Sequence, residues 1–146
     1  MYKHILVSTD GSDLARKGVD QALALAKFLG AKVTIVTVTE RLPVYTGFDG
    51  GLTALAYSDY TASQRAGAEQ VLSAAKEAAA GSGVAVETVL IENDLPADAI
   101  IATAKARGCD LIAMASHGRR GIGRLVLGSV TAEVLTHSDV PVLVVR

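Results

Sequence analysis

Two short stretches of this 146-residue sequence carry residue types suited to holding a small anion. The longer runs Ala115-Ser116-His117-Gly118-Arg119-Arg120-Gly121-Ile122-Gly123-Arg124 and continues to Gly128-Ser129-Val130-Thr131. Gly118, Gly121 and Gly123 let the backbone turn sharply and present N–H groups with no Cβ in the way. Gly128 and Ser129 stand where a helix should begin, and the unpaired N–H groups and positive dipole end of a helix start favour phosphate. The hydroxyls of Ser129 and Thr131 add donors, and Arg119, Arg120 and Arg124 add positive charge. The plain alternative is a flexible glycine loop with solvated arginines and an ordinary serine cap. The shorter stretch is Ser8-Thr9-Asp10-Gly11-Ser12. Neither is a standard phosphate loop. G-x-x-x-x-G-K-[ST] is absent, and the first strand-to-helix turn lacks G-x-G-x-x-G, which counts against a P-loop NTPase and a dinucleotide enzyme.

Other chemistry is thin. His4, His117 and His137 have no metal-ligand spacing, so no zinc site is expected. His117, beside Gly118, is within reach of a bound phosphate or is simply an exposed loop histidine. Cys109 reads as a packed, inert thiol, since nothing nearby in sequence lowers its pKa. No nucleophile–base pair stands out.

The elements that must position these residues alternate in type. Ile5-Leu6-Val7 reads as a buried strand. Val19, Ala22, Leu23, Ala26 and Leu29 repeat at helical spacing, and Gly30 ends that helix. Lys32 to Val38 is a second strand, rich in β-branched residues. Ala68, Val71, Leu72, Ala75 and Ala79 mark a second helix, ending near Gly81-Ser82-Gly83. Val84 to Ile91 is a third strand. Asp94 can cap a third helix carrying Ala97, Ile100, Ile101 and Ala104, stopped by Gly108. Leu111 to Ala115 is a fourth strand, and a fourth helix reaches about His137. Pro141 opens the last strand, Val142 to Val145. Strands alternating with helices predict a mostly parallel sheet covered on both faces, with ligands outside the carboxyl ends of the strands. The segment from Glu40 to about Ala56 is irregular; a loop that long is usually functional or mobile. Tyr45, Tyr57 and Tyr60 lie in or beside it, as a lid, a dimer contact or ordinary exposed tyrosines.

Composition narrows the class. Half the residues are hydrophobic and 20% are charged, which excludes a disordered chain. The length fits one domain, residues 1–146. Fourteen Lys and Arg against fifteen Asp and Glu give a net charge of −1, which argues against nucleic acid or an anionic membrane as main partner. A run of about eighteen apolar residues, the minimum for a membrane-spanning helix, occurs nowhere. The single cysteine fits a reducing compartment, so a cytoplasmic location is expected.

Three stretches resemble the universal stress protein family: Lys3 to Ser12, Met114 to Val130, and the ending Ser138-Asp139-Val140-Pro141-Val142-Leu143-Val144-Val145. The similarity covers the whole chain. ATP-binding members carry Gly, two residues, Gly, nine residues, then Gly-Ser or Gly-Thr. Here Gly118, nine residues, and Gly128-Ser129 fit, but Ala115 replaces the first glycine. Gly121 and Gly123 fall inside the spacer and cannot substitute in register. If that position needs positive φ or touches the nucleotide, the methyl costs affinity; if φ is negative, it is harmless.

The resemblance implies a Rossmann-like, five-stranded parallel sheet of order 3-2-1-4-5 and a homodimer through Val142–Val145. It places Asp10 toward the ribose or a nucleotide-bound Mg²⁺, although an Asx cap for the first helix explains Asp10 equally. Val38 would pack on adenine, and Ser8 and Thr9 would line the floor. Met114, Ala115, Ser116, His117, Gly118, Arg119, Arg120 and Gly121 would wrap ribose and phosphates. Gly128, Ser129, Val130 and Thr131 would meet the phosphates. The favoured reading is an adenine-nucleotide-binding regulator in the stress response, with ATP and Mg²⁺, or AMP or a cyclic nucleotide, as ligand. The alternatives are a dimeric interaction module that binds no nucleotide, favoured by Ala115, and a slow ATP-hydrolysing enzyme.

Overall fold

The computed structural model describes residues 1–41, 54–118 and 126–146. The elements run β1 (His4–Ser8), α1 (Asp13–Leu29), β2 (Lys32–Glu40), α2 (Ala54–Ala79), β3 (Val86–Asp94), α3 (Pro96–Arg107), β4 (Leu111–Ala115), α4 (Ser129–His137) and β5 (Val142–Val145). All the pairings are parallel and the sheet order is β3-β2-β1-β4-β5, as the resemblance implies. The order reverses between β1 and β4, which makes their carboxyl ends the natural ligand crevice.

Side chains alternate along the strands and feed two cores. Ile5, Val7, Val33, Ile35, Leu111 and Ala113 pack with α1 and α2 on one face. Leu6, Val36, Ile112 and Met114 pack with α3 and α4 on the other. Covering both faces is why the strands read as continuous apolar runs. Gly30 and Gly108 close α1 and α3 in the left-handed conformation, with φ of 68° and 67°. A residue without Cβ adopts that conformation cheaply.

Three expectations change. α2 starts at Ala54, well before Ala68, and its first half buries no side chain; only Ala68, Leu72 and Ala79 are buried. Apolar spacing therefore marks only its second half. β3 begins at Val86 and runs on to Asp94, where Asp94 pairs with Glu40 across a bulge. Asp94 thus belongs to the strand and does not cap α3. The cap position is Leu95, with no side-chain cap bond, and Pro96 starts the helix with the φ it already prefers. Of the expected irregular segment Glu40–Ala56, residues 42–53 lie outside the described residues, Glu40 ends β2 and Ala54 opens α2. No helix among the described residues is long and apolar enough to cross a membrane.

Candidate functional site

Two chain turns meet at the crevice. After β1, the Thr9 N–H donates to the Val36 carbonyl at 3.0 Å, and the Thr37 hydroxyl donates to the Thr9 carbonyl at 2.8 Å. Asp10 Oδ1 accepts from the Ser12 N–H at 2.9 Å, an Asx turn, while Gly11 takes φ of 80°. The helix cap itself is Ser12, whose hydroxyl accepts from the Ala15 N–H at 3.2 Å. Asp10 therefore shapes the turn and Ser12 caps α1. The Thr9 hydroxyl is buried and accepts from the Gly11 N–H at 3.2 Å.

After β4, the chain continues from Ala115 into Ser116, His117 and Gly118. The Ser116 N–H donates to the Val145 carbonyl at 2.8 Å, and the Gly128 N–H returns to the Ser116 carbonyl at 2.7 Å. Thr131 is buried, and its hydroxyl donates to the Ala115 carbonyl at 2.8 Å. Its proton thus tethers α4 to the end of β4. Gly118 passes directly over the Asp10 carboxylate: a Cβ there would lie 2.5 Å from Asp10 Oδ2. A Cβ on Gly128 would lie 3.1 Å from His117 Cα and 3.2 Å from the Ser116 carbonyl oxygen. Close approach rather than positive φ marks both positions: at Gly118 the Asp10 carboxylate would have to move aside, and at Gly128 the Ser116–His117 backbone would have to give way slightly. Gly128 is also the N-cap of α4 and supplies no side-chain cap bond to the first turn of that helix.

The turns enclose a two-lobed cleft. The smaller lobe, about 160 Å³, is lined by Ser8, Thr9, Val36, Ile100, Met114, Ala115 and His117. The larger, about 590 Å³, takes in Gly128, Ser129 and, from α2, Tyr60, Gln64 and Gly67. Asp10, Val38, Gly118, Val130 and Thr131 line both. Ser116 is nearly buried, with its hydroxyl 3.3 Å from His117 Nδ1. Arg119, Arg120 and Gly121, with Gly123 and Arg124, lie outside the described residues. Ala115 is the last residue of β4, paired with Val145. Asn93 is the non-glycine residue at positive φ among the described residues, so Ala115 keeps negative φ and its backbone does not need a glycine.

Sequence reasoning missed the second wall. Thr37, Thr39 and Glu40 from β2 and Tyr60, Ser63, Gln64, Gly67 and Val71 from α2 line the larger lobe. Tyr60, Ser63 or Gln64, Gly67 and Val71 recur at helical spacing, which was the available signal. α2 is held over the lobe by Arg65, whose guanidinium grips Glu92 of β3 through two bonds of 2.7 Å. That bidentate contact keeps the Glu92 carboxyl below the ordinary carboxylate range.

The opposite edge of the sheet is closed by its own bonds. His4 Nε2 lies 2.7 Å from the Thr34 hydroxyl, which donates to Glu87 Oε1 at 2.8 Å. Arg107 holds the other Glu87 oxygen at 2.9 Å, and Asp110 accepts from the Lys3 and His4 N–H groups. Burial lowers the His4 pKa, helped by the Lys32 charge. The Thr34 hydrogen bond, followed by the Arg107 charge, lowers that of Glu87. Cys109 is buried beside them, and burial pushes its thiol up to about 11, which leaves it unreactive as a thiolate. No group of three or more His, Cys, Asp or Glu side chains among the described residues could hold a metal ion.

Comparison with known proteins is consistent in fold and length. A sequence model described as the universal stress protein family matches residues 1–146. The universal stress protein YxiE of Bacillus subtilis is 35% identical over 152 aligned positions, covering 100% of both chains. The structure of universal stress protein UspA from Lactobacillus plantarum superimposes with a TM-score of 0.84 at 25% identity, over 99% of this chain and 98% of that one. A universal stress protein crystallised in complex with cAMP gives a TM-score of 0.71 at 28% identity, over 99% and 97% of the two chains.

Proposed function

The chain belongs to the universal stress protein family, and from that premise we propose that it is an adenine-nucleotide-binding regulator that works as a homodimer. The observation that carries the nucleotide reading is the meeting of Asp10, Gly118 and the uncapped start of α4 around one cleft. Helix-start N–H groups with no side-chain cap are donors in want of an anion. Gly118 and Gly128 bring backbone close enough to form that edge. The smaller lobe, lined by Val36, Val38, Ile100 and Met114, has the apolar walls that suit a flat base. The cAMP complex of a relative supports a nucleotide as ligand. The ionised groups on the described wall of the larger lobe are carboxylates, Asp10 and Glu40. A phosphate chain beside them calls for countercharge, from Mg²⁺ near Asp10 or from Arg119, Arg120 and Arg124. The role that goes with this reading is regulation rather than metabolic turnover, and its location is the cytoplasm. Mass spectrometry of the denatured, purified protein should release an adenine nucleotide, and calorimetry should rank ATP with Mg²⁺, AMP and cAMP. No bound nucleotide together with no heat of binding defeats the reading.

The dimer reading rests on β5. Among the described residues it is a sheet edge paired with β4 alone, and Val142, Leu143 and Val144 are half-buried. An apolar edge invites a second strand, and antiparallel pairing with its own copy closes on itself. Sedimentation at micromolar concentration should give a dimer, and Val144→Pro, which removes a backbone donor, should give monomer or aggregate. A monomeric wild type overturns it.

A further inference from the structure

Gly67 stands in the middle of α2 with no described neighbour to pack against. Glycine inside a helix is costly relative to alanine, because its backbone has more freedom to lose. Close approach to a neighbouring element is the usual compensation. Gly18 of α1 at least faces a neighbour, since its Cβ would lie in ordinary contact 3.7 Å from the Ala115 nitrogen. A Cβ on Gly67 would meet no described atom within 4 Å. What Gly67 faces is the larger lobe of the cleft, across from Asp10, Gly128 and Ser129. Tyr60, Ser63 and Gln64 line the same lobe from one side of the helix. Their hydroxyl and amide groups make no hydrogen bond to a described residue. The wall is held in position, because Arg65 ties α2 to Glu92 through two bonds of 2.7 Å.

The two lobes differ in chemistry. The smaller is closed by Val36, Ile100 and Met114, and the larger holds the α4 start and this hydroxyl and amide wall. At about 590 Å³ the larger lobe has more room than one phosphate fills. We infer that the Tyr60–Ser63–Gln64–Gly67 face of α2 is a recognition wall for the polyphosphate tail of a nucleoside triphosphate. Gln64 and Ser63 donate to the tail's oxygens, and Gly67 stays small to leave it space. The inference rests on the nucleotide reading above and deepens it, because it selects a triphosphate over a monophosphate.

The test is calorimetry on the full chain with ATP and Mg²⁺ and, separately, with AMP, for wild type, Gln64→Ala and Gly67→Leu. ATP affinity should fall about 10-fold in each variant, the loss of one hydrogen bond to a charged group or of the space it needs. AMP affinity should stay within about twofold. Gly67→Ala should raise Tm by about 2–4 °C, because a better helix former replaces a glycine that packs against no described residue. If wild type binds ATP but the variants lose ATP and AMP equally, or lose neither, the α2 assignment fails and the nucleotide reading stands. A fall in Tm for Gly67→Ala would show a packing role for this glycine and overturn the assignment as well. A wild type that binds neither ligand defeats both readings.

Discussion

The two ends of the parallel sheet treat polar groups in opposite ways. At the amino-terminal edge, His4, Thr34, Glu87 and Arg107 form a hydrogen-bonded chain across β1, β2, β3 and α3, and Asp110 takes the first backbone N–H groups. At the carboxyl edge, α4 starts without a side-chain cap, and hydroxyl and amide groups of α2 face an open cleft. Helix starts on this carboxyl edge differ among themselves. α1 is capped by Ser12, whereas Leu95 before α3 and Gly128 before α4 make no side-chain cap bond. Among the described residues no buried side-chain polar atom lacks a partner. Polar groups closed on each other hold a fold together; polar groups left open toward a cavity are available to a ligand.

The largest effects should come from filling the close approaches at the carboxyl edge. Gly118→Val puts a side chain where Asp10 Oδ2 already sits, and Gly128→Val presses on the backbone of Ser116 and His117. Each should weaken ATP binding by at least about 100-fold, ~2.7 kcal/mol. Circular dichroism should show the sheet intact, since neither residue belongs to a strand. Calorimetry that finds unchanged affinity in both folded variants removes the cleft as the binding site.

The reverse experiment breaks the closed edge. Thr34 is fully buried and bridges His4 to Glu87. Thr34→Val keeps the shape and leaves the buried imidazole N–H without an acceptor. Stability should drop by about 1–3 kcal/mol. Thr34→Ser, which keeps the hydroxyl, should recover most of that loss. Nucleotide affinity should not move in either variant. Equal stability of the Val and Ser variants in urea melts would show that the network contributes nothing.

Legibility followed burial. Strands and capped helix ends could be read because their residues meet a core or need a special φ, as at Gly30 and Gly108. The carboxyl-edge site was legible where its glycines carry a family spacing. The α2 wall was not, since Tyr60, Ser63, Gln64 and Gly67 recur at helical spacing without the apolar character that marks a buried helix face. Asp94 misled because an acidic residue before Pro96 resembles a cap, while the β2–β3 bulge claims it for the strand.

A smaller effect separates the edges by pH. Burial, then Lys32, holds the His4 pKa below its ordinary 6.5, with Glu87, Arg107 and Asp110 pulling the other way. The unfolded chain therefore takes up this proton before the folded one does. Stability is complete above pH 6.5 and falls as pH drops through that value toward the lowered folded pKa. Glu87, held below 4.5 by the Thr34 hydrogen bond and Arg107, adds a second loss at lower pH, as its carboxylate is protonated. Urea midpoints between pH 7.5 and about 2.5 should show both falls, and His4→Gln should erase only the upper one. A midpoint that stays flat from pH 7 to 5 in the wild type contradicts the burial argument.

The smallest expected effect is at Ala115, where the sequence departs from the family spacing. The residue is extended, lies at the end of β4 paired with Val145, and has negative φ. Its carbonyl already accepts the Thr131 hydroxyl, so the backbone atoms that shape this turn are present with alanine. Only the methyl group remains to matter, and it sits on the wall of the smaller lobe. Ala115→Gly removes that methyl and adds backbone freedom in a buried strand end, which costs roughly 0.5–1 kcal/mol of stability. ATP affinity should rise by a few-fold if the methyl crowds the base or sugar, and stay unchanged if it does not. A large loss of affinity in a folded Ala115→Gly protein would show that the methyl is itself a ligand contact. It would also mean that this chain uses its alanine to choose a ligand other than the one ATP-binding relatives hold.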